Sequence, residues 1–246
     1  MQQTRALQGK VALVFGGSRG IGEAIVRRLA RDGASVALTY VASAQKASAL
    51  VDAIEVDAGE ALAIQADSAD AQAVESAVAQ TLERFGHLDI VVVNAGILIR
   101  GTVDAFSLED FDRMLATNVR GVFAALHFAA PHMTDGGRII TIGSNTALRT
   151  GFSGAAVYSM TKAAVAVLAR GAAIDLAPRR ITVNNVQPGP TLTDMTASHV
   201  ELVRPLIPLG RLGEPAEVGG LVAYLASEEA GFITGASITI DGGYVA

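Results

Sequence analysis

Seven short apolar runs, rich in Val and Ile, alternate along the chain with longer stretches of helical periodicity. The runs show no polar alternation, which is typical of strands covered on both faces of a parallel sheet. They lie at residues 11–15, 35–39, 61–65, 89–93, 137–143, 181–186 and 237–240. The helical stretches lie at residues 20–31, 44–57, 70–85, 108–130, 157–177 and 215–226. This alternation predicts an α/β fold: a single doubly wound domain over residues 1–246, with a seven-stranded parallel sheet and helices on both faces.

Composition excludes several classes of function. The net charge is −5 and no basic run is present, which argues against a nucleic-acid partner. The chain has no cysteine, so thiolate chemistry and cysteine-ligated zinc are excluded. Its four histidines lack ligand spacing, and we expect no metal site. The first nine residues lack a secretory signal, and the most apolar helical stretch carries charged residues, so we expect a soluble, cytoplasmic protein without a membrane partner.

One long segment interrupts the alternation. Residues 188–213 are rich in proline and leave the carboxyl end of a predicted strand. Open α/β sheets bind ligands at that end of their strands, and long insertions in compact domains are often binding loops. We therefore predict a substrate-binding loop at about residues 189–213.

A glycine-rich turn lies between the first predicted strand and the first predicted helix. Gly16, Gly20 and Gly22 are spaced more widely than the usual G-x-G-x-x-G, but their position suits a loop that holds a pyrophosphate at a helix N-terminus. The same turn matches G-x-S-x-G, with Ser18 as the nucleophile of a serine hydrolase. A hydrolase also needs a late histidine, and only His199 is available, inside the irregular segment. The hydrolase is the less favoured interpretation.

Three side chains suit acid–base chemistry on a carbonyl group. Tyr158 and Lys162 are four residues apart on a predicted helix and so emerge from one face. An ammonium group near a phenol lowers the phenol pKa, which makes the tyrosine a usable general acid or base. Ser144, just past a predicted strand, can donate a hydrogen bond to a developing oxyanion. Each residue singly also has an ordinary structural explanation.

Asn118 interrupts the apolar stripe of a long predicted helix. Asparagine is a poor helix former, and we expect its side chain to be half-buried. It either braces a water or a backbone bend near the site or marks a structural kink.

These pieces together resemble the short-chain dehydrogenase/reductase family over nearly the whole chain, and within it the bacterial ketoacyl-reductase-like branch. The matching residues, in family order, are Gly16, Gly20, Gly22, Asn94-Ala95-Gly96, Asn118, Ser144, Tyr158-x-x-x-Lys162, Pro188-Gly189, Thr193, Met195, Ile233-Thr234-Gly235 and Asp241-Gly242-Gly243. The resemblance implies a Rossmann-type fold, hydride transfer with a nicotinamide cofactor, and a homotetramer.

The resemblance also implies a role for each site residue. Tyr158 would exchange a proton with the substrate oxygen, Lys162 would hold the nicotinamide ribose and lower the tyrosine pKa, Ser144 would orient the substrate oxygen, and Asn118 would hold a relay water. Asp67 would bond the adenine, although a helix cap explains it equally well. The implied cofactor-binding residues are Gly16, Ser18, Arg19, Gly20, Ile21, Gly22, Tyr40, Ser43, Asp67, Ser68, Asn94, Ala95, Gly96, Tyr158, Lys162, Pro188, Gly189, Thr191 and Thr193.

One residue departs from the family pattern. Phe15 stands where the family usually has a threonine whose hydroxyl ties the glycine loop to a neighbouring strand. We expect packing to brace the loop instead.

The second predicted strand ends without an acid, which NAD-specific sites use to bind the ribose hydroxyls. Arg19 and Ser43 can meet a 2′-phosphate, so NADPH is favoured over NADH. The pocket wall formed by Thr146, Leu148, Phe152 and Val157 is largely apolar. The sequence therefore predicts an NADP(H)-dependent oxidoreductase that interconverts a neutral ketone or aldehyde with an alcohol. The alternative is a catalytically weak, dinucleotide-binding regulatory protein with the same fold.

Overall fold

The sheet is the centre of the molecule, and all seven of its strands are parallel. The computed structural model describes residues 5–57, 59–194, 196–197 and 200–246. The strands are β1 Val11–Phe15, β2 Ser35–Tyr40, β3 Ala61–Gln65, β4 Ile90–Val93, β5 Arg138–Ile142, β6 Thr182–Pro188 and β7 Ser237–Ile240. Their order across the sheet is β3-β2-β1-β4-β5-β6-β7. The predicted fold class is confirmed.

Helices connect the strands and cover both faces of the sheet. They are α1 Gly20–Arg31, α2 Ala44–Val56, α3 Ala71–Phe85, α4 Leu108–Leu115, α5 Gly121–Ala129, α6 Ala156–Leu176, α7 Val200–Val203 and α8 Pro215–Ala226. Successive strand residues point to opposite faces, so Val14 packs with α1 and α8 while Leu13 packs with α3, α5 and α6. Truncating a fully buried residue such as Leu29 to Ala costs about 2–5 kcal/mol of stability.

The single long helix predicted over residues 108–130 is wrong. The structure divides it into α4, a π-helical turn at Ala116–Arg120, and α5. The extra residue in the turn brings Asn118 inward, where it is fully buried rather than half-buried. Wide turns of this kind occur often at functional sites.

The predicted substrate loop follows β6. Within it, Thr191 forms an isolated parallel bridge with Gly213, and α7 is its short described helix. Two of its residues that the sequence analysis singled out, Met195 and His199, lie outside the described residues.

The chain from Ala156 to Arg179, which contains α6, is long and apolar enough to cross a membrane by length and composition alone. Its buried side chains, such as Val165 and Ala169, belong to the core on one face of the sheet. The helix therefore has the ordinary composition of a core helix.

Candidate active site

The candidate residues gather at the carboxyl ends of four neighbouring strands. The glycine-rich turn follows β1, Asn94 follows β4, Ser144 closely follows β5, and Gly189 follows β6. These strands are adjacent, and the sequence order reverses between β1 and β4. Open α/β sheets bind ligands in the crevice at such a reversal. One crevice therefore collects residues that are far apart in the sequence.

The glycine-rich turn is built for close approach of the backbone. Gly16 has φ of +75°, and a Cβ added there would lie 2.9 Å from the Ala95 Cα. A Cβ at Gly22 would lie only 2.0 Å from the Gly16 carbonyl oxygen. The Asn94 side-chain amide donates a hydrogen bond to that oxygen at 2.7 Å. The turn is thus held against β4 beside the N-terminus of α1, whose amides and dipole suit a pyrophosphate.

A hydroxyl group braces this turn, so the expectation that packing alone would do so is wrong. Phe15 is buried, and the Gly16 amide donates to the Thr39 hydroxyl of β2 at 2.9 Å. The Gly17 amide donates to the Thr39 carbonyl oxygen at 3.0 Å. The side chain on the neighbouring strand supplies the contact that Phe15 cannot.

Tyr158, Ser144 and Lys162 converge as predicted. The Ser144 hydroxyl lies near enough to the Tyr158 hydroxyl to lower the pKa of Tyr158. The Ser144 oxygen also accepts from the Thr146 amide at 3.2 Å and the Thr146 hydroxyl at 2.9 Å. Lys162 Nζ lies 5.7 Å from the centroid of the Tyr158 ring and donates to the Ile142 carbonyl oxygen at 2.9 Å.

The expected lowering of the Tyr158 pKa by Lys162 is not found. Burial raises the pKa of Tyr158 to about 12, and the hydrogen bond with Ser144 opposes that rise only in part. Burial also lowers the pKa of Lys162 to about 8, since the residue is only 4% exposed. With a pKa of about 12, Tyr158 is a protonated phenol at neutral pH.

Both polar atoms of the Asn118 side chain form hydrogen bonds within the protein. Its Oδ1 accepts from the Ile97 amide and its Nδ2 donates to the Ile97 carbonyl oxygen, both at 2.8 Å. A second bond from Nδ2 reaches the Thr161 hydroxyl at 3.2 Å. Thr161 in turn donates to the Tyr158 carbonyl oxygen at 2.7 Å. The π-helical turn is therefore tied to the segment after β4 and to the catalytic helix α6.

The predicted adenosine side lies around the ends of β2 and β3. Tyr40 ends β2, Ser43 directly precedes α2, and Ser68 is buried. The cap explanation for Asp67 is wrong: its carboxylate accepts from the Ala69 amide, and Asp70 caps α3. The adenine contact predicted for Asp67 stays a prediction.

Arg19 has a partner that the sequence analysis did not foresee. Its Nη1 lies 3.8 Å from Asp194 Oδ2, in the substrate loop. Lys46, in the first turn of α2, approaches the same oxygen at 3.8 Å. All three side chains are at least 60% exposed. We call Arg19, Lys46 and Asp194 the Asp194 cluster.

The substrate loop begins at the predicted nicotinamide end of the crevice. Pro188 ends β6, the Gly189 amide donates to the Ile240 carbonyl oxygen at 2.9 Å, and the Thr191 hydroxyl donates to the Gly189 carbonyl oxygen at 3.0 Å. The Thr193 methyl lies 3.4 Å from the position that a Cβ at Gly20 would occupy. The loop thus crosses directly over the glycine-rich turn.

The C-terminal residues close the other side of the site. Asn145, next to Ser144, donates to Asp241 Oδ2 at 3.2 Å. The Asp241 carboxylate also accepts from the amides of Gly243 and Val245, at 3.0 and 3.1 Å. This single carboxylate therefore connects the catalytic serine segment to the last residues of the chain.

The predicted substrate wall lies between Ser144 and Tyr158. Thr146 and Val157 are partly buried, while Leu148 and Phe152 are 62% and 37% exposed. The Arg100 guanidinium stacks over the Phe152 ring at 4.8 Å. The wall is mainly apolar, with a cation at its rim.

The hydrolase interpretation finds no support from the described histidines. Ser18 is buried at the carboxyl edge of the sheet, whereas His87 contacts Asp89 at the opposite edge and His127 stacks with Phe123 in α5. No group of three His, Asp or Glu side chains within the described ranges could hold a metal ion.

Comparison with known proteins agrees with this geometry. A family model described as "Enoyl-(Acyl carrier protein) reductase" matches residues 16–245. The solved short-chain dehydrogenase/reductase of Serratia marcescens is 56% identical, covers 98% of this chain and 100% of its own, and has a TM-score of 0.96. The chain belongs to the short-chain dehydrogenase/reductase family.

Two further relatives illustrate the range of this family. A short-chain dehydrogenase from Burkholderia cenocepacia, solved in complex with NADP, is 48% identical with a TM-score of 0.96, and the match covers 98% of this chain and 100% of that one. The cyclic-di-GMP-binding biofilm dispersal mediator protein of Escherichia coli is 43% identical over 97% of this chain and 98% of its own. This chain thus resembles both a short-chain dehydrogenase solved with NADP and a protein named as a cyclic-di-GMP-binding mediator.

Sequence reasoning missed Thr39, Thr161, Lys46 and Asp194. Thr161 lies inside the Tyr158-x-x-x-Lys162 motif, and a buried hydroxyl in a helix beside a catalytic residue is a usable signal. The other three act across elements that are far apart in the sequence, and their partners emerge only from the packed fold.

Proposed function

We propose that this member of the short-chain dehydrogenase/reductase family is an NADPH-dependent carbonyl reductase that interconverts a neutral ketone or aldehyde with an alcohol, with Tyr158 as the general acid and base. The observation that carries the proposal is the convergence of Tyr158, Ser144 and Lys162 at the crevice, where Lys162 Nζ lies 5.7 Å from the Tyr158 ring and Ser144 lowers the Tyr158 pKa. A buried Lys162 next to the same phenol supports it.

The residues present fit a dinucleotide. Positions 16 and 22 tolerate no Cβ, which leaves the backbone at the start of α1 as a cradle for phosphates. No acid ends β2, and Arg19 and Lys46 are cations near that end. The NADP bound by the Burkholderia relative agrees with this charge pattern. When bound, NADPH supplies the hydride that the carbonyl carbon receives.

Tyr158 supplies the proton in the reducing direction. Its raised pKa, about 12, keeps the phenol protonated at neutral pH. As negative charge develops on the carbonyl oxygen, Tyr158 transfers its proton there, and Ser144 donates a hydrogen bond to the same oxygen. The resulting phenolate is stabilised by the Lys162 ammonium group and is reprotonated from water. Oxidation of an alcohol needs the phenolate as the base, so the raised pKa of Tyr158 favours the reducing direction at neutral pH.

The test is a panel of neutral ketones and aldehydes, assayed by loss of NADPH absorbance, and of the matching alcohols with NADP⁺, each repeated with the NAD(H) pair. We expect turnover with several apolar ketones and a preference for NADPH. Tyr158→Phe should reduce turnover by about 10³-fold while changing the NADPH dissociation constant little, because only the proton donor is lost. Tyr224→Phe, a partly exposed tyrosine on α8, is the matched control and should be fully active.

The alternative is a regulatory protein that binds a dinucleotide without turnover. The name of the Escherichia coli relative, a cyclic-di-GMP-binding mediator, is the observation that favours it. The same panel separates the two functions. Tight NADPH binding with no turnover on any carbonyl substrate, and a Tyr158→Phe variant that behaves like the wild type, would support the regulator and contradict the reductase.

A further inference from the structure

The Asp194 cluster links two regions with different tasks. Arg19 belongs to the turn that opens α1, Lys46 to the first turn of α2, and Asp194 to the substrate loop. Both cations face the same carboxylate oxygen at 3.8 Å. An anion of the protein therefore stands between two cations that come from the cofactor side of the crevice.

The position of this carboxylate matters because of what lies beside it. Thr193, the residue before Asp194, places its methyl group against Gly20 in the glycine-rich turn. Hydrogen bonds of the Thr196 hydroxyl, which donates to the Thr191 carbonyl oxygen and accepts from the Thr193 amide, hold the intervening turn. These contacts place the backbone next to Asp194 close to the glycine-rich turn, and the Asp194 carboxylate lies within 3.8 Å of both cations.

We propose that Lys46 is a second cation for the 2′-phosphate of NADPH, beside Arg19, and that Asp194 competes with that phosphate for both cations. The inference rests on the proposed use of NADPH. A 2′-phosphate carries about two negative charges at neutral pH, so the cations hold it more strongly than a single carboxylate. Two like charges do not share these cations without repulsion, and phosphate binding displaces Asp194 from them.

This exchange couples the substrate loop to the identity of the cofactor. NADPH releases the loop at Asp194, whereas NADH, which lacks the 2′-phosphate, leaves the carboxylate paired with Arg19 and Lys46. Because the three side chains are largely exposed, each ion pair changes an equilibrium constant by no more than about fivefold. The Asp194 cluster therefore adjusts the preference for NADPH over NADH and does not create that preference alone.

The experiment measures dissociation constants for NADPH and NADH by nicotinamide fluorescence, and for adenosine 2′,5′-bisphosphate and AMP by calorimetry. Asp194→Asn should lower the dissociation constant of NADPH by about fivefold, because a competing anion is removed, and should change that of NADH by less than about twofold. Lys46→Gln should weaken the binding of NADPH and of the bisphosphate by about fivefold, with the binding of AMP and NADH unchanged. Glu201→Gln removes an exposed carboxylate from the same segment and should change the dissociation constant of neither NADPH nor NADH.

Hydrogen exchange gives a readout that does not depend on affinity. Amides at residues 191–197 should exchange faster with saturating NADPH than with saturating NADH in the wild type, and the difference should vanish in Asp194→Asn. A weaker NADPH affinity in Asp194→Asn, or an equal loss of NADPH and NADH in Lys46→Gln, overturns the inference alone. Failure of the wild-type chain to bind NADPH overturns the proposed function together with the inference.

Discussion

Two groups of charged and polar side chains lie at the same edge of the sheet, and they are built in opposite ways. Around Tyr158, Lys162 is 4% exposed, and its ammonium group donates a hydrogen bond of 2.9 Å to a backbone oxygen. In the Asp194 cluster, the ammonium group of Lys46 belongs to a side chain that is 60% exposed, and its partner is 3.8 Å away. The first cation is fixed in a medium of low dielectric constant, and the second is in water.

The difference follows from what each group has to do. Acid–base chemistry needs a fixed geometry and a shifted pKa, which only burial and short hydrogen bonds provide. Selection of a charged cofactor needs cations that exchange one anion for another, which solvent makes easy. We therefore expect salt to weaken NADPH binding through Arg19 and Lys46 while leaving the pKa of Lys162 nearly unchanged.

Lys162→Met removes the buried cation and should have a large effect on turnover, second to that of Tyr158→Phe. We expect carbonyl reduction to fall by about 10²-fold or more, since the phenolate formed at Tyr158 loses its charge partner. In the wild type, Lys162 is charged below its pKa of about 8 and neutral above it. The rate of reduction should therefore fall as pH rises through 8. Rate measurements from pH 6 to 10 test this decrease.

The decrease in rate above pH 8 should be absent in Lys162→Met, whose rate should be low and independent of pH over the same range. Added salt should not change the pH at which the rate falls. A wild-type profile that stays level to pH 10 would contradict the assignment of Lys162.

Gly22→Ala tests the cofactor cradle. The new Cβ would lie 2.0 Å from the Gly16 carbonyl oxygen, so the turn must shift. We expect a loss of at least about 3 kcal/mol in stability and a large loss of NADPH affinity. Thermal unfolding and fluorescence titration give the two quantities.

Gly171→Ala in α6 is the matched control, because a Cβ there has open space around it. It should stabilise the chain by up to about 1 kcal/mol, since alanine favours a helix interior. Similar behaviour of the two variants would contradict the close approach at Gly22.

Thr161→Val tests whether the catalytic helix depends on its bond to the π-helical turn. It leaves Asn118 Nδ2 without its second partner, and the loss of a buried hydrogen bond costs about 1–3 kcal/mol. We expect kcat to fall several-fold with little change in KM, because Tyr158 and Lys162 are displaced. Thr161→Ser keeps the hydroxyl and should restore most of the kcat; equal losses in both variants would indicate a packing role only.

Thr39→Val should have the smallest effect. It removes the hydroxyl that accepts from the Gly16 amide but keeps the backbone bond from Gly17. We expect a loss of about 1–2 kcal/mol in stability and a weaker affinity for both NADPH and NADH alike. An effect on NADPH alone would place Thr39 with the phosphate selection of the Asp194 cluster instead.

Much of the fold could be predicted from local pattern. The apolar runs locate all seven strands within a residue or two, because strands buried on both faces require that composition. The convergence of Ser144, Tyr158 and Lys162 was also predictable, since strand ends and one helix face bring them together.

What the sequence did not predict depends on contacts between distant elements. Thr39 lies 23 residues from Gly16, and its hydroxyl reaches the turn only because β1 and β2 are neighbours. The π-helical turn looks like a continuous helix in the sequence, because its bulge is stabilised by Ile97 rather than by its own residues. The pKa of Tyr158 was misjudged because burial depends on the complete packing around it.

The contact between Asn145 and Asp241 has a practical consequence for handling this protein. Through it, the position of the peptide after Ser144 depends on a turn only a few residues from Ala246. An affinity tag fused after Ala246 would strain that turn. The peptide after Ser144 would then shift and turnover would fall, although the sheet stays folded. A purification handle belongs at the other end of the polypeptide.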